Sequence, residues 1–141
     1  MVMLVLDTDH LTALGYRNAL GQRLLDRLAE SGQEVATTVV NVDEQLSGLL
    51  AALHAKHDPD EQIQPYAELV ERIEFLAAFL VLPWDADSAR ILRDLKAKRV
   101  RVGTMDLKVA SISLAHDVSL LTRNAVDFAK VPDLRFENWL D

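Results

Sequence analysis

Five acidic residues stand where one fold would gather them: Asp7 and Asp9 behind an apolar run, Glu44, Asp106 and Asp127. Met3-Leu4-Val5-Leu6 is apolar at every position and ends on Asp7. A strand that is apolar on both faces belongs inside a parallel sheet covered on both sides, and ligands of such sheets bind at the carboxyl ends of strands. Glu44 lies in the first turn of the helix expected after a second strand, Asp106 opens a helix that is apolar nearly all round, and Asp127 follows a fourth strand and the turn Arg123-Asn124. In a right-handed parallel sheet these positions share one rim. Carboxylates gathered there repel one another and take up protons unless a cation holds them. Mg²⁺ or Mn²⁺ suits such a cluster, since it prefers oxygen ligands and keeps waters; the matching chemistry is attack of water on a phosphate ester.

Each acid also has a purely structural reading. Asn41-Val42-Asp43-Glu44 has the form of a capping box, with Asn41 as N-cap and Glu44 reaching back. Asp106, two residues past Thr104, would favour a helix N-terminus through the dipole, and Asp9 and Asp127 would cap turns or helices. For Asp7 and Asp106 together the metal reading is stronger, because both border wholly apolar segments where an unpaired charge is costly. Other chemistries find little support. His10, His54, His57 and His116 show no metal-ligand spacing with a partner acid, and His54 and His57 are expected to be solvated. There is no serine in a Gly-x-Ser-x-Gly setting and no phosphate-cradling loop among five glycines. Trp84 and Trp139 are expected in core or rim packing.

The elements that must position the acids alternate between short apolar segments and helical periods, the pattern of a βαβ sheet. Strands are expected at Met3 to Leu6, Val35 to Val39, Val81 to Pro83, Ser119 to Thr122 and Leu134 to Glu137. Leu20, Leu24, Leu25 and Leu28 make one stripe of a helix from Asn18 to Ser31, stopped by Gly32. Leu46, Leu49, Leu50 and Leu53 give a helix from Asn41 to about His57, ended by Pro59. Tyr66, Leu69, Val70, Ile73, Ala77 and Leu80 mark a long amphipathic helix whose outer face carries Glu68, Glu71, Arg72 and Glu74. Two more follow, Ala86 to about Val100, closed by Gly103, and a buried one from Met105 to His116.

At 141 residues, half of them apolar and 26% charged, the chain has the size and composition of one globular domain, residues 1–141. The longest wholly apolar run, Phe75 to Leu82, is too short to cross a bilayer, and the first acid interrupts any signal-peptide pattern; a cytoplasmic protein is expected. The absence of cysteine excludes disulfides and thiolate metal sites. A net charge of −7 repels a polyanion on average, so a nucleic-acid role needs local basic patches. Lys96, Lys98, Arg99 and Arg101 form one just ahead of Asp106, and Arg123 lies beside another candidate acid. The plainer reading of that cluster is a solvated helix end complementing its dipole.

With these positions in view, the chain resembles the PIN-domain ribonucleases, and among them the VapC-type toxins of toxin–antitoxin pairs. The residues that carry the resemblance are Leu4-Val5-Leu6-Asp7-Thr8-Asp9, Thr38-Val39-Val40-Asn41-Val42-Asp43-Glu44 with Gly48, Gly103-Thr104-Met105-Asp106-Leu107-Lys108-Val109-Ala110, Leu121-Thr122-Arg123-Asn124-Ala125-Val126-Asp127-Phe128, and the ending Val131-Pro132-Asp133-Leu134 to Asn138-Trp139. Four motifs in order at suitable spacing are specific. The resemblance implies a three-layer α/β/α domain with a short central parallel sheet and an acidic pocket holding Mg²⁺ or Mn²⁺ that cleaves RNA. Asp7 and Asp106 match the principal metal ligands and Glu44 the third acid. Asn124 occupies one candidate position for the fourth, whose role passes to Asp127, with Asp9 as a secondary polar group. Gln45 and Lys108 depart from the apolar residues usual at those places. Lys96, Lys98, Arg99, Arg101 and Arg123 would guide the RNA backbone. A homodimer is implied, as is an antitoxin that lays a basic or aromatic segment across the pocket, and the helix carrying Phe75 and Phe79 is a candidate contact surface.

Two other readings stand beside this one. Asp7-Thr8-Asp9 also resembles the haloacid-dehalogenase phosphatases, where the first acid is a nucleophile, but Asp106 has no role there. A catalytically silent binding module is compatible with the substituted fourth acid and the acidic surface.

Overall fold

The computed structural model describes residues 3–16 and 18–141. Five short strands, β1 (Met3–Leu6), β2 (Glu34–Thr38), β3 (Leu80–Leu82), β4 (Ser119–Leu121) and β5 (Arg135–Glu137), make an all-parallel sheet in the order β3-β2-β1-β4-β5. The helices are α1 (Thr8–Gly15), α2 (Ala19–Ser31), α3 (Val39–His54), α4 (Ile63–Ala77), α5 (Ala86–Ala97), α6 (Thr104–His116) and the single turn α7 (Ala125–Phe128).

The pleat of β1 shows why the sheet needs cover on both faces. Val5 joins Ala36, Leu95, Leu107, Val109 and Ile112 in a core built with α5 and α6, whereas Leu4 and Leu6 point the other way, into Leu11, Leu24, Leu28 and Leu76 of α1, α2 and α4. All three strand residues are essentially inaccessible to solvent, and burying each side chain contributes about 1.5–3 kcal/mol. The result is the expected three-layer α/β/α sandwich. Among the described residues no helix is long and apolar enough to cross a membrane.

Chain direction reverses its lateral progress at β1, which pairs with β2 on one side and β4 on the other. That is the topological switch point, where diverging connections open a crevice at the strand ends. Leu6 and Leu121 are in register there, so Asp7 and Thr122 leave the sheet side by side.

Several elements differ from the expectations. Helix α1 begins directly after Asp7, whose carboxylate accepts from the Thr8 N–H at 2.9 Å. Gly21 makes the α1–α2 corner possible, because a Cβ there would lie 2.3 Å from the Ala13 carbonyl oxygen. Helix α3 starts at Val39 with Thr38 as N-cap, its hydroxyl accepting from Asn41 N at 3.1 Å. Asn41 is thus inside the helix, and the capping box with Glu44 does not form: Thr38 leaves β2 in extended conformation and claims the cap ahead of the polar cluster. Leu80 belongs to β3 instead of the long helix. Gly103 does not close α5; it precedes α6 as N-cap, and α5 ends at Ala97.

Candidate active site

Asp7 sits at the switch point, only 6% exposed. Its two oxygens accept three side-chain and backbone bonds: Thr8 N at 2.9 Å and Asn41 Nδ2 at 2.8 Å on Oδ1, Thr122 Oγ1 at 2.8 Å on Oδ2. Asn41 and Thr122 are themselves fully buried, so the carboxylate is held in one orientation by rigid donors. Burial raises its pKa above the ordinary value; the bonds from Thr122, Thr8 and Asn41 work against that, and the charge of Asp9 adds to it.

Asp106 stands in the first turn of α6, half-buried. Its carboxyl is likewise raised, first by burial and then by the charges of Asp7 and Asp127. Glu44, deeper in α3 than expected, is raised by burial and by Asp7 and Asp106, with no hydrogen bond among the described residues to hold it down. The three carboxylates therefore feel one another across β1, α3 and α6, as gathering on one rim requires. They do not touch: among the described residues no three acidic or imidazole groups form a closed cage. Mg²⁺-class ions are often held by one or two carboxylates with waters completing the shell, so an oxygen-only, mutually repelling donor set of this kind fits a hard divalent cation.

Hydrogen bonds tie the sites of Asp7 and Asp106 together. Thr122 donates to Asp7 and accepts from Asn124 N at 3.0 Å, while Asn124 Nδ2 donates to Asp106 at 3.2 Å and to Asp127 at 3.0 Å. Asn124 also caps α7. The proposed fourth acid, Asp127, is thereby tied to Asp106 through one amide nitrogen, and its charge acts on the Asp106 carboxyl; Asn124 and Lys130 hold its own carboxyl below the usual range, and Lys130 Nζ lies 3.3 Å from it.

Asp9 occupies a supporting layer. Its Oδ2 accepts from Arg123 N at 3.0 Å, and its Oδ1 pairs with Nδ1 of the fully buried His10. Burial pushes the Asp9 carboxyl up, but the bonds from His10 and Arg123 outweigh it and leave it low. Trp139 N donates to His10 Nε2 at 3.2 Å, so Nε2 carries the lone pair and the ring proton is on Nδ1, facing Asp9.

Lys96, Lys98, Arg99 and Arg101 are all exposed. Their segment runs into Gly103 and α6, and Lys130 fastens it to the acids by donating to the Arg101 carbonyl at 3.4 Å. Arg123 is committed elsewhere: its guanidinium bonds Asp141 twice at 3.2 Å, anchoring the C-terminal residues. His54 and His57 are exposed, as expected. Trp139 packs under the Arg27 guanidinium at 4.2 Å, and Trp84 lies 5.8 Å from Lys108 Nζ.

A family model described as PIN domain matches residues 4–134. The chain belongs to the PIN-domain family. Ribonuclease VapC1 of Rickettsia felis is 28% identical to this PIN domain over 135 residues, 93% of this chain and 92% of its own length. The DNA-bound VapBC of Salmonella typhimurium shares the fold, with TM-score 0.75 at 19% identity over 99% of each chain. So does VapBC-5 from Mycobacterium tuberculosis, a member of the VapBC family of toxin-antitoxin systems, with TM-score 0.55 at 23% identity over 98% of each chain.

Asn41, Thr122 and His10 carry much of this PIN-domain site, and sequence reasoning alone does not single them out as functional. Asn41 and Thr122 lie inside the quoted motifs, three residues before an acid and next to a strand end. His10 offers no spacing signal, because its partners are an adjacent acid and a backbone N–H 129 residues away.

Proposed function

We propose that this chain is a divalent-cation-dependent endoribonuclease and the toxin of a toxin–antitoxin pair. The observation that carries the reading is the convergence of Asp7, Glu44 and Asp106 at the switch point of a PIN domain, where the charge of Asp7 raises the pKa of both Glu44 and Asp106, and that of Asp106 raises Glu44. Asp7 and Asp106 would hold Mg²⁺ or Mn²⁺, with Glu44 on its outer side. When bound, such an ion supplies Lewis acidity toward a phosphate and lowers the pKa of water.

The chain's own residues do the rest. Thr122, Thr8 and Asn41 lock Asp7, so its oxygens need no reorganisation when the strand arrives. Glu44, with its elevated pKa, is suited to take the proton of an attacking water. Asn124 sets the spacing between Asp106 and Asp127. Lys96, Lys98, Arg99 and Arg101 offset the acidic surface and draw the RNA backbone toward α6.

Two surfaces suit protein partners. An apolar groove of about 1090 Å³ between α1, α2 and α4 is lined by Leu14, Tyr16, Leu25, Leu28, Phe75 and Phe79. It meets a second groove bordered by Thr8, Thr12, Gln45, Glu68 and Glu71. An antitoxin segment with apolar anchors and a basic end would follow this path to the acids. The exposed α4 stripe Ile63, Tyr66, Val70 and Ile73 suits a homodimer contact.

The phosphatase reading is disfavoured by Asp9, which is committed to His10, Thr122 and Arg123 instead of standing free as a second acid. The test is cleavage of unstructured RNA with Mg²⁺ or Mn²⁺. Wild-type protein cuts, chelation stops it, and Asp106→Asn is inactive; cutting undiminished by Asp106→Asn refutes the reading.

A further inference from the structure

Helix α5 ends in a Schellman motif. Arg99 N donates to the Lys96 carbonyl and Val100 N to the Leu95 carbonyl, at 3.0 and 3.2 Å. This pattern requires its central residue to be left-handed, and glycine is the usual occupant because it has no Cβ to strain. Here that residue is Arg99, with φ of +58°. Elsewhere the chain obeys the rule: Gly32 takes the left-handed position after α2, and the other non-glycine residues of positive φ among those described are Asp117 and Asp133, a type that tolerates it. A long cationic side chain is thus kept at a position that backbone energetics assign to glycine.

Its location gives the reason. Arg99 opens the short segment that leads through Gly103 to Asp106, and Lys130 clamps that segment to the acid network by bonding both the Arg101 carbonyl and Asp127. The dipole of α5 does not need Arg99, because Lys96 and Lys98 already stand at its C-terminal end. Lys98 is paired with Asp94 and Lys130 with Asp127, whereas Arg99 forms no ion pair among the described residues. Its guanidinium is exposed and has a fork geometry matched to a phosphate. Strain of this kind persists where function needs it.

We infer that Arg99 is a substrate-positioning residue: it accepts left-handed strain so that its guanidinium grips a backbone phosphate of the RNA on the approach to Asp106. The inference rests on the ribonuclease reading and adds which cation does the gripping.

The substitution Arg99→Gly separates strain from charge. It is expected to raise Tm by about 2–4 °C, because the motif gains its preferred residue. At the same time it weakens binding of a short unstructured RNA several-fold and lowers the slope of log affinity against log salt by about 0.7, one phosphate contact on a single strand. Arg99→Lys keeps wild-type Tm and most of the salt slope. Binding is read in the Asp106→Asn background, which leaves the strand uncut. A higher Tm for Arg99→Gly with unchanged RNA affinity and salt slope overturns the inference and leaves the ribonuclease reading intact, as does a fall in Tm. Absence of RNA binding by the parent protein overturns both.

Discussion

Thr122, the residue that follows β4, donates a hydrogen bond from its hydroxyl to Asp7, the residue that follows β1, at 2.8 Å and across 115 positions of sequence. Both are buried, and their adjacency exists only because β1 and β4 are neighbours in register. Replacing Thr122 by Val preserves the shape and removes the donor. The fold should lose about 1–3 kcal/mol, the cost of an unsatisfied buried carboxylate oxygen. Because the Thr122 bond lowers the Asp7 pKa, the acid limb of the cleavage profile should move to higher pH. Thr122→Ser should restore both; denaturant unfolding and a pH–rate profile read the two effects.

The raised carboxyls also set a stability profile. Asp7, Glu44 and Asp106 titrate above their unfolded-chain values, so their contribution to folding is fully present below the ordinary carboxyl range, about pH 4, and is lost as pH rises through the raised values. Asp9 works oppositely, since its lowered pKa contributes above that range and is lost on acidification. Chelated protein should therefore lose Tm between mildly acidic and neutral pH, and Mn²⁺ should return it. Glu44→Gln and Asp106→Asn should flatten the profile while abolishing cleavage. A Tm in chelator that climbs steadily to neutral pH contradicts the clustering.

Asn124 is the hinge of the outer acids. Its amide bonds Asp106 and Asp127 together, so Asn124→Asp inserts a carboxylate between two others. Without divalent cation this variant should be less stable than wild type, and with Mn²⁺ it should recover more strongly. Asp127→Asn should be mild, keeping activity within about tenfold of wild type, since Asp127 is partly exposed and its charge is offset by Lys130. Thermal melts with and without cation decide the first point and single-turnover cleavage the second.

His10 ties the chain's end to the site. Its ring pairs with Asp9 and accepts from Trp139 N, and it is wholly buried. His10→Ala should cost about 3 kcal/mol or more, combining a cavity with an orphaned N–H and a released acid. Limited proteolysis should then cut near Trp139 before the core opens.

Much of the sheet is legible in the sequence because β1 and β4 are apolar nearly throughout, and because Gly32 stops α2 as a left-handed cap. The rim location of Asp7, Glu44 and Asp106 follows from strand and helix order alone. The local chemistry of the connections is harder to read. Thr38 caps α3 by virtue of its extended backbone at the end of β2, which no spacing announces, and Asn41 is consequently a buried donor to Asp7 where its spacing from Glu44 suggests a cap. Helix α1 gives no clear period because its buried face combines Leu11 and Ala13 with the polar His10. Gly103 has the look of a helix stop, yet the left-handed residue is Arg99. Asp127 is joined to Asp106 only through the Asn124 amide, a link that no spacing in the sequence announces.

The most direct test is calorimetric titration of Mn²⁺ into metal-free protein. A cation site built on Asp7 and Asp106 predicts saturable binding by wild type that disappears in Asp7→Asn and Asp106→Asn, weakens in Glu44→Gln and persists in Asp127→Asn. No binding by folded wild type, or equal affinity in Asp106→Asn, would contradict it.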